Sequence, residues 1–176
     1  MKTQLNRWTK FLGILCTIAS IIVLLQSVIT PVLAQQRASI PGQITVAFVP
    51  SIPGGGLDFH EAAGGHTLER HVGKTEAELA QRLETDRRIS AASSFTNRSI
   101  AEAAIGEAIG KNERPIASWL RTRGNRYSID YNANRIVGIT LRRRASKATP
   151  TSRLKIVFDR SPKLPSGYFI RTAYPV

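Results

Sequence analysis

The chain has 176 residues, 25 Lys/Arg against 12 Asp/Glu, and a formal net charge of +13. Its single cysteine, Cys16, lies in the apolar N-terminal stretch, so the remainder cannot form a disulfide, a cysteine nucleophile or a cysteine metal ligand. The charge is lopsided: residues 35–113 hold eight Lys/Arg and ten Asp/Glu, whereas residues 114–176 hold fourteen Lys/Arg with only Asp130 and Asp159. Such a half is either a basic solvated surface or a surface for a polyanion, an anionic lipid or an acidic protein.

Residues 1–34 have the order of a secretory signal peptide. Lys2, Arg7 and Lys10 form a positive start, Phe11 to Ile29 is almost wholly apolar, and Ala34 precedes polar Gln35-Gln36-Arg37. The apolar run approaches the length of a membrane span, so an uncleaved anchor is the alternative. Cleavage after Ala34 leaves a secreted chain without stable membrane association. Residues 35–56 read as a linker: one candidate strand at Ile44, Val46 and Phe48, then Pro50, Pro53 and Gly54-Gly55-Gly56 as breakers.

From Leu57 the pattern is helical. Thr75 and Glu78 have the spacing of a capping box, with Leu79 and Leu83 behind, predicting a helix over 75–85. Ile89 to Phe95 reads as a short strand. Ser99 and Glu102 form a second capping pair ahead of Ile105, Ala108 and Ile109, and Ile116, Trp119 and Leu120 mark a short helix with Pro115 near its start. After Gly124 the period becomes two: strands are expected at Tyr127–Tyr131, Val137–Leu141, Leu154–Phe158 and Tyr168–Tyr174. Helices followed by strands imply an α+β fold, N-terminal helices on a C-terminal antiparallel sheet. Residues 57–176 form the domain.

Chemistry concentrates in "GGHTLERHVGKT", residues 64–75. Zinc hydrolases place two histidines four apart on a helix. Here His60 and His66 are six apart and His66 and His71 five apart, so nothing in the spacing asks for a metal. Gly73-Lys74-Thr75 imitates the end of a phosphate-binding loop, but position 68 is leucine where that loop needs glycine. Gly73 ending one helix and Thr75 capping the next is the plainer role. Acid–base chemistry is left, since imidazole titrates near neutral pH. A lone histidine is more often structural, yet His71 precedes a helix break, where a side chain can reach a cleft. Arg82 lies on the partly apolar side of the next helix, a costly place without an anionic partner. In "GYFIRTAYPV", strict alternation puts Tyr168, Ile170, Thr172 and Tyr174 on one face. By itself that strand needs no role beyond a half-buried edge.

Taken together, "LDFHEAAGGHTLERHVGKTEAELAQRL" (57–83), "ISAASSF" (89–95), "IASWL" (116–120) and "GYFIRTAYP" (167–175) resemble the bacterial RNase A-like toxin domain. That domain is found at the C-termini of contact-dependent growth-inhibition proteins and other polymorphic toxins. The resemblance implies a kidney-shaped fold like pancreatic ribonuclease without its disulfides. It implies RNA cleavage needing no metal or other cofactor, by attack of the ribose 2′-hydroxyl to give a 2′,3′-cyclic phosphate. It also implies a catalytic set of His71, Arg82, Thr172 and Tyr174, with RNA as substrate and an immunity protein as partner; the basic surface leads one to expect that partner to be acidic, and a monomer is expected. Lys74 is a further candidate for touching phosphate, and Arg142-Arg143-Arg144 with Lys147 for guiding the backbone. Tyr127, Tyr131 and Tyr168 are available for base stacking, although core packing is their simpler use; His60 and His66 are expected to be structural. Ser94 stands where the resemblance leads one to expect threonine, and keeps the hydroxyl. The family's members usually end a long delivery protein, whereas here an export signal precedes the domain. The alternative reading is a non-catalytic basic nucleic-acid-binding or membrane-active secreted protein.

Overall fold

The computed structural model describes residues 51–176. The expected signal peptide, the candidate strand at 44–48 and most of the expected linker lie outside the described residues.

Three short helices come first: α1 (Leu57–Ala62), α2 (Thr67–His71) and α3 (Glu76–Thr85). Strand β1 (Ala91–Phe95) follows, then α4 (Arg98–Lys111) and α5 (Glu113–Leu120). The rest is β: β2 (Arg126–Asn132), β3 (Gly138–Arg142), β4 (Thr149–Thr151), β5 (Arg153–Arg160) and β6 (Tyr168–Pro175). The strands form two three-stranded antiparallel sheets, β1-β3-β4 and β2-β5-β6. The α+β class is as expected, but there are two sheets rather than one, because β1 from the helical half pairs with β3.

Local chemistry explains the boundaries. Thr75 caps α3 as the sequence indicates: its hydroxyl accepts from Glu78 N, and Glu78 accepts back from Thr75 N at 2.7 Å. The start of α4 lies earlier than the Ser99 pairing suggests. Asn97 is the cap, its side chain accepting from Ile100 N at 2.9 Å, and Ser99 sits inside the helix. An Asx cap does the work of a Ser/Thr cap, and Glu102 instead binds Arg98 and accepts from Leu57 N.

The main core gathers Ile105, Ile109, Ile116 and Trp119 from α4 and α5 with Leu154, Ile156, Phe158 and Ile170 from β5 and β6. A fully buried side chain of this kind contributes about 1.5–3 kcal/mol. Tyr168 is in this core, and Tyr127 and Tyr131 pack against it, so none of the three is a free stacking platform. A second cluster, Leu79, Leu83, Ala92 and Leu141, fastens α3 to the β1-β3-β4 sheet. Ile52, from the end of the expected linker, is buried with Leu57. Gly138 lets β3 approach β1: a Cβ there would lie 2.1 Å from the Ser94 carbonyl oxygen.

Two arginines of the basic half are committed to holding the chain. Arg143 donates to the carbonyls of Leu83, Asp86 and Ile89, closing the end of α3. Its expected part in guiding RNA is therefore withdrawn: its donors are spent on backbone. Arg160 likewise donates to the carbonyls of Trp119 and Leu120 at the end of α5 and of Thr122 and Gly124 just past it. A guanidinium suits a helix C-terminus because its donors fan out to several orphan carbonyls at once.

Candidate active site

The site is set by an irregularity in β6. Val157 pairs with Thr172 and Phe158 with Ile170, so Arg171 is one residue too many for its partner strand. Such a bulge changes which side chains face which way. Before it, Tyr168 and Ile170 are buried; after it, Ala173 and Pro175 are buried instead. Thr172 and Tyr174 therefore lie on the opposite face from Tyr168 and Ile170, alongside their partners Val157 and Lys155. The single-face reading of the sequence fails because regular alternation was assumed through position 171.

Along its free edge, away from β5, β6 meets α2. Ala173 N donates to the Thr67 hydroxyl at 2.9 Å, and His66 N donates to the Arg171 carbonyl at 3.1 Å. These bonds fix α2 so that His71, in its last turn, stacks on Tyr174 with ring centroids 5.2 Å apart. Gly73, at φ 69°, then turns the chain, and its N–H donates to the Phe95 carbonyl. Lys74 N donates to the Ser94 hydroxyl at 2.8 Å. The hydroxyl at position 94 is thus part of the turn's frame, a task serine performs as well as threonine.

His71 is 7% exposed. Its Nδ1 is 3.0 Å from the Ser93 carbonyl, and because a carbonyl only accepts, Nδ1 carries the hydrogen. That tautomer leaves Nε2 with its lone pair, and nothing among the described residues hydrogen-bonds it. Burial is the main cause holding the imidazole pKa down, from 6.5 to about 4. The Ser93 carbonyl opposes the shift, while Arg82, His66 and Arg70 add to it. At neutral pH His71 is a neutral imidazole, a proton acceptor.

Arg82 is half-buried and donates from Nη1 to the Arg70 carbonyl at 3.1 Å. Burial, then the neighbouring Arg70 charge, pulls its pKa below the ordinary arginine value. Together with Arg70, Lys74, Gln81 and Thr85 it lines a cavity of about 320 Å³ beside α2. Thr172 presents a buried hydroxyl that has no hydrogen-bond partner among the described residues. A buried hydroxyl left unpaired costs about 1–3 kcal/mol, and a site awaiting a ligand is one place where such a cost is carried.

The four candidates fall into two groups. His71 stacks on Tyr174, and Thr172 lies two residues before Tyr174 on the same side of β6; Arg82, on α3, is near enough for its charge to act on His71, but it lines a cavity that His71, Thr172 and Tyr174 do not. Lys74 lines that cavity with Arg82. His60 is not part of this group. Its Nδ1 accepts from Ile170 N at 3.1 Å, and its Nε2 donates to the Pro53 carbonyl at 2.9 Å. Burial lowers its pKa as well, and a neutral ring with both nitrogens engaged is structural, as expected. Among the described residues no three His, Cys, Asp or Glu side chains are placed to share a metal ion. The role of Ser93 was not legible in the sequence, because it acts through its backbone carbonyl.

The family model for the bacterial CdiA-CT RNAse A domain matches residues 65–175. Among solved structures, the crystal structure of a CdiA-CT/CdiI complex from Y. kristensenii 33638 is similar to this chain, with 41% identity and a TM-score of 0.60. The likeness covers 64% of this chain and 99% of that one. No curated protein matches the sequence.

Proposed function

Since the chain belongs to the family of bacterial CdiA-CT RNase A domains, a ribonuclease toxin family, we propose that it cleaves RNA by transesterification, with His71 as general base. The observation that carries this reading is the neutral, oriented imidazole of His71 against Tyr174. Nε2 takes the proton of the ribose 2′-hydroxyl as the 2′-oxygen attacks phosphorus. The bond to the 5′-oxygen breaks, leaving a 2′,3′-cyclic phosphate on one fragment and a 5′-hydroxyl on the other. A general base so placed is worth roughly 10²–10⁴-fold in rate. Tyr174 donates its phenolic hydrogen to the leaving oxygen or to the phosphate. Arg82 offsets the charge that builds on the non-bridging oxygens, and the Thr172 hydroxyl gains there the partner it lacks. The roles need no metal. DNA has no 2′-hydroxyl and is spared.

Three further assignments belong to this reading. The related CdiA-CT was crystallised with CdiI, and the surplus of arginine over carboxylate here fits an acidic immunity protein as partner. Residues 1–34 direct export. Arg142, Arg144 and Lys147, exposed on or beside the end of β3, remain available to RNA.

The test is to incubate the purified domain with RNA and with DNA of the same sequence in excess chelator, and to identify the new 3′ ends. Cyclic phosphates on RNA alone, lost with His71→Ala, are expected. Intact RNA, or equal cutting by wild type and His71→Ala, overturns the proposal.

A further inference from the structure

The face that carries Thr172 and Tyr174 continues past the bulge into a second cavity, which the mechanism leaves unused. It measures about 360 Å³ and is lined by Asn125, Arg126, Asp159, Arg160, Phe169 and Arg171. Asp159 is its only carboxylate, against three guanidiniums. Arg126 grips Asp159 with Nε at 2.6 Å and Nη2 at 2.9 Å. Arg171 donates Nε to the same carboxylate at 2.8 Å and Nη1 to the Gly64 carbonyl at 2.9 Å, and its guanidinium lies over the Phe169 ring. Asp159 is 14% exposed, whereas Arg126 and Arg171 are 62% and 39% exposed. The acid lies beneath and the cations open to solvent. Nη1 of Arg126 and Nη2 of Arg171 have no acceptor among the described residues.

Two guanidiniums on one carboxylate leave an uncompensated positive charge, and Arg160 adds another. An ion pair made only for stability needs one cation; the second is a surplus that an anion can use. The two arginines hold Asp159 below the usual carboxylate range, so the acid stays ionised and keeps both forks in place. The bulge makes the geometry relevant to the reaction. Arg171 and Thr172 are consecutive residues on the same side of β6. Asp159 lies two positions along β5 from Val157, the partner of Thr172, a distance of about 7 Å at ~3.3 Å per residue. A single-stranded RNA backbone crosses that distance in about one nucleotide.

We propose that Arg126 and Arg171, organised by Asp159, form a phosphate subsite for the nucleotide next to the scissile bond. The subsite rests on the ribonuclease reading of Thr172 and Tyr174. Planar forks with free Nη donors recognise phosphate by geometry as well as charge. A contact of this kind positions the strand without reading its sequence.

The experiment uses wild type, Arg126→Gln and Arg126→Lys with uncleavable 2′-O-methyl RNA: a dinucleotide with one phosphate, and a labelled octanucleotide. Arg126→Gln is expected to weaken octanucleotide binding about tenfold and to lower the slope of log affinity against log salt by about 0.7. Dinucleotide binding, followed by NMR, is expected to stay at the wild-type value. Arg126→Lys, which keeps the charge and loses the fork, should restore the slope with only part of the affinity. Equal losses for both lengths, or none for the octanucleotide, overturn the subsite. So does unchanged RNA binding accompanied by weaker binding of an acidic immunity protein, which would assign the cavity to protein. A wild-type protein that binds the octanucleotide through Arg126 yet leaves natural RNA uncut keeps the subsite and removes the ribonuclease.

Discussion

If His71 is the base, the enzyme should remain active at a pH where an ordinary histidine enzyme has stopped. The unprotonated fraction of a solvated imidazole halves near pH 6.5. Burial places that point at about 4 for His71. The perturbation is therefore pH alone, and kcat/KM, which reports the free enzyme, should be flat from neutrality to about pH 5 and fall tenfold per pH unit below 4. The limb of kcat should lie higher, because a bound phosphodiester favours the imidazolium. Stability shares the same displacement. A histidine whose folded-state pKa is depressed contributes fully above the unfolded value and loses that contribution as pH falls through the window from 6.5 to about 4. Over that window, at about 1.4 kcal/mol per pH unit, the loss comes to about 3.5 kcal/mol. Initial rates on a fluorogenic RNA substrate at constant ionic strength, with circular dichroism at each pH, separate the two effects. An acid limb near pH 6.5 with the fold intact would refute the reasoning, since it would mean a solvated His71 or another base.

Other expectations follow from single contacts. Thr172→Val removes a hydroxyl that binds nothing in the free protein, so the melting temperature should hold or rise while kcat falls about 10²-fold; a large loss of stability would show that the hydroxyl has a structural partner. Arg143→Ala strips the donors from three carbonyls and should cost about 2–3 kcal/mol in urea unfolding. His60→Ala loses the link between Pro53 and β6, and should cost about 3 kcal/mol and speed hydrogen exchange at the Ile170 amide. Gly138→Ala forces a methyl against the Ser94 carbonyl and should prevent β1 from pairing with β3, read as loss of the cooperative melt.

Legibility followed the range of the interaction. The Thr75–Glu78 cap, the Leu79–Leu83 stripe and the period-two runs are local, and they appear where the sequence puts them. The cap of α4 was misplaced by two residues because Asn97 and Ser99 offer the same kind of oxygen. β4 was missed: it is three residues long with Pro150 at its middle, which suits an edge and little else. The division into two sheets was hidden because β1 is paired across more than forty residues of chain with β3. At the site, the residue types could be named from resemblance, but not the face they occupy. His71's tautomer depends on a backbone carbonyl 22 residues away, which no side-chain pattern reveals.

The extra residue at position 171 gives the last strand two reading frames. Upstream of it the even-numbered Tyr168 and Ile170 enter the main core; downstream the odd-numbered Ala173 and Pro175 are the buried ones. Deleting Arg171 would merge the two frames: Thr172 and Tyr174 would keep their side, still opposite Val157 and Lys155, while the strand would lose the guanidinium that reaches Asp159. Shortening the strand at this point is therefore felt in the arginine-lined cavity and not at the two hydroxyls, whose side of the sheet the flanking pairs already fix.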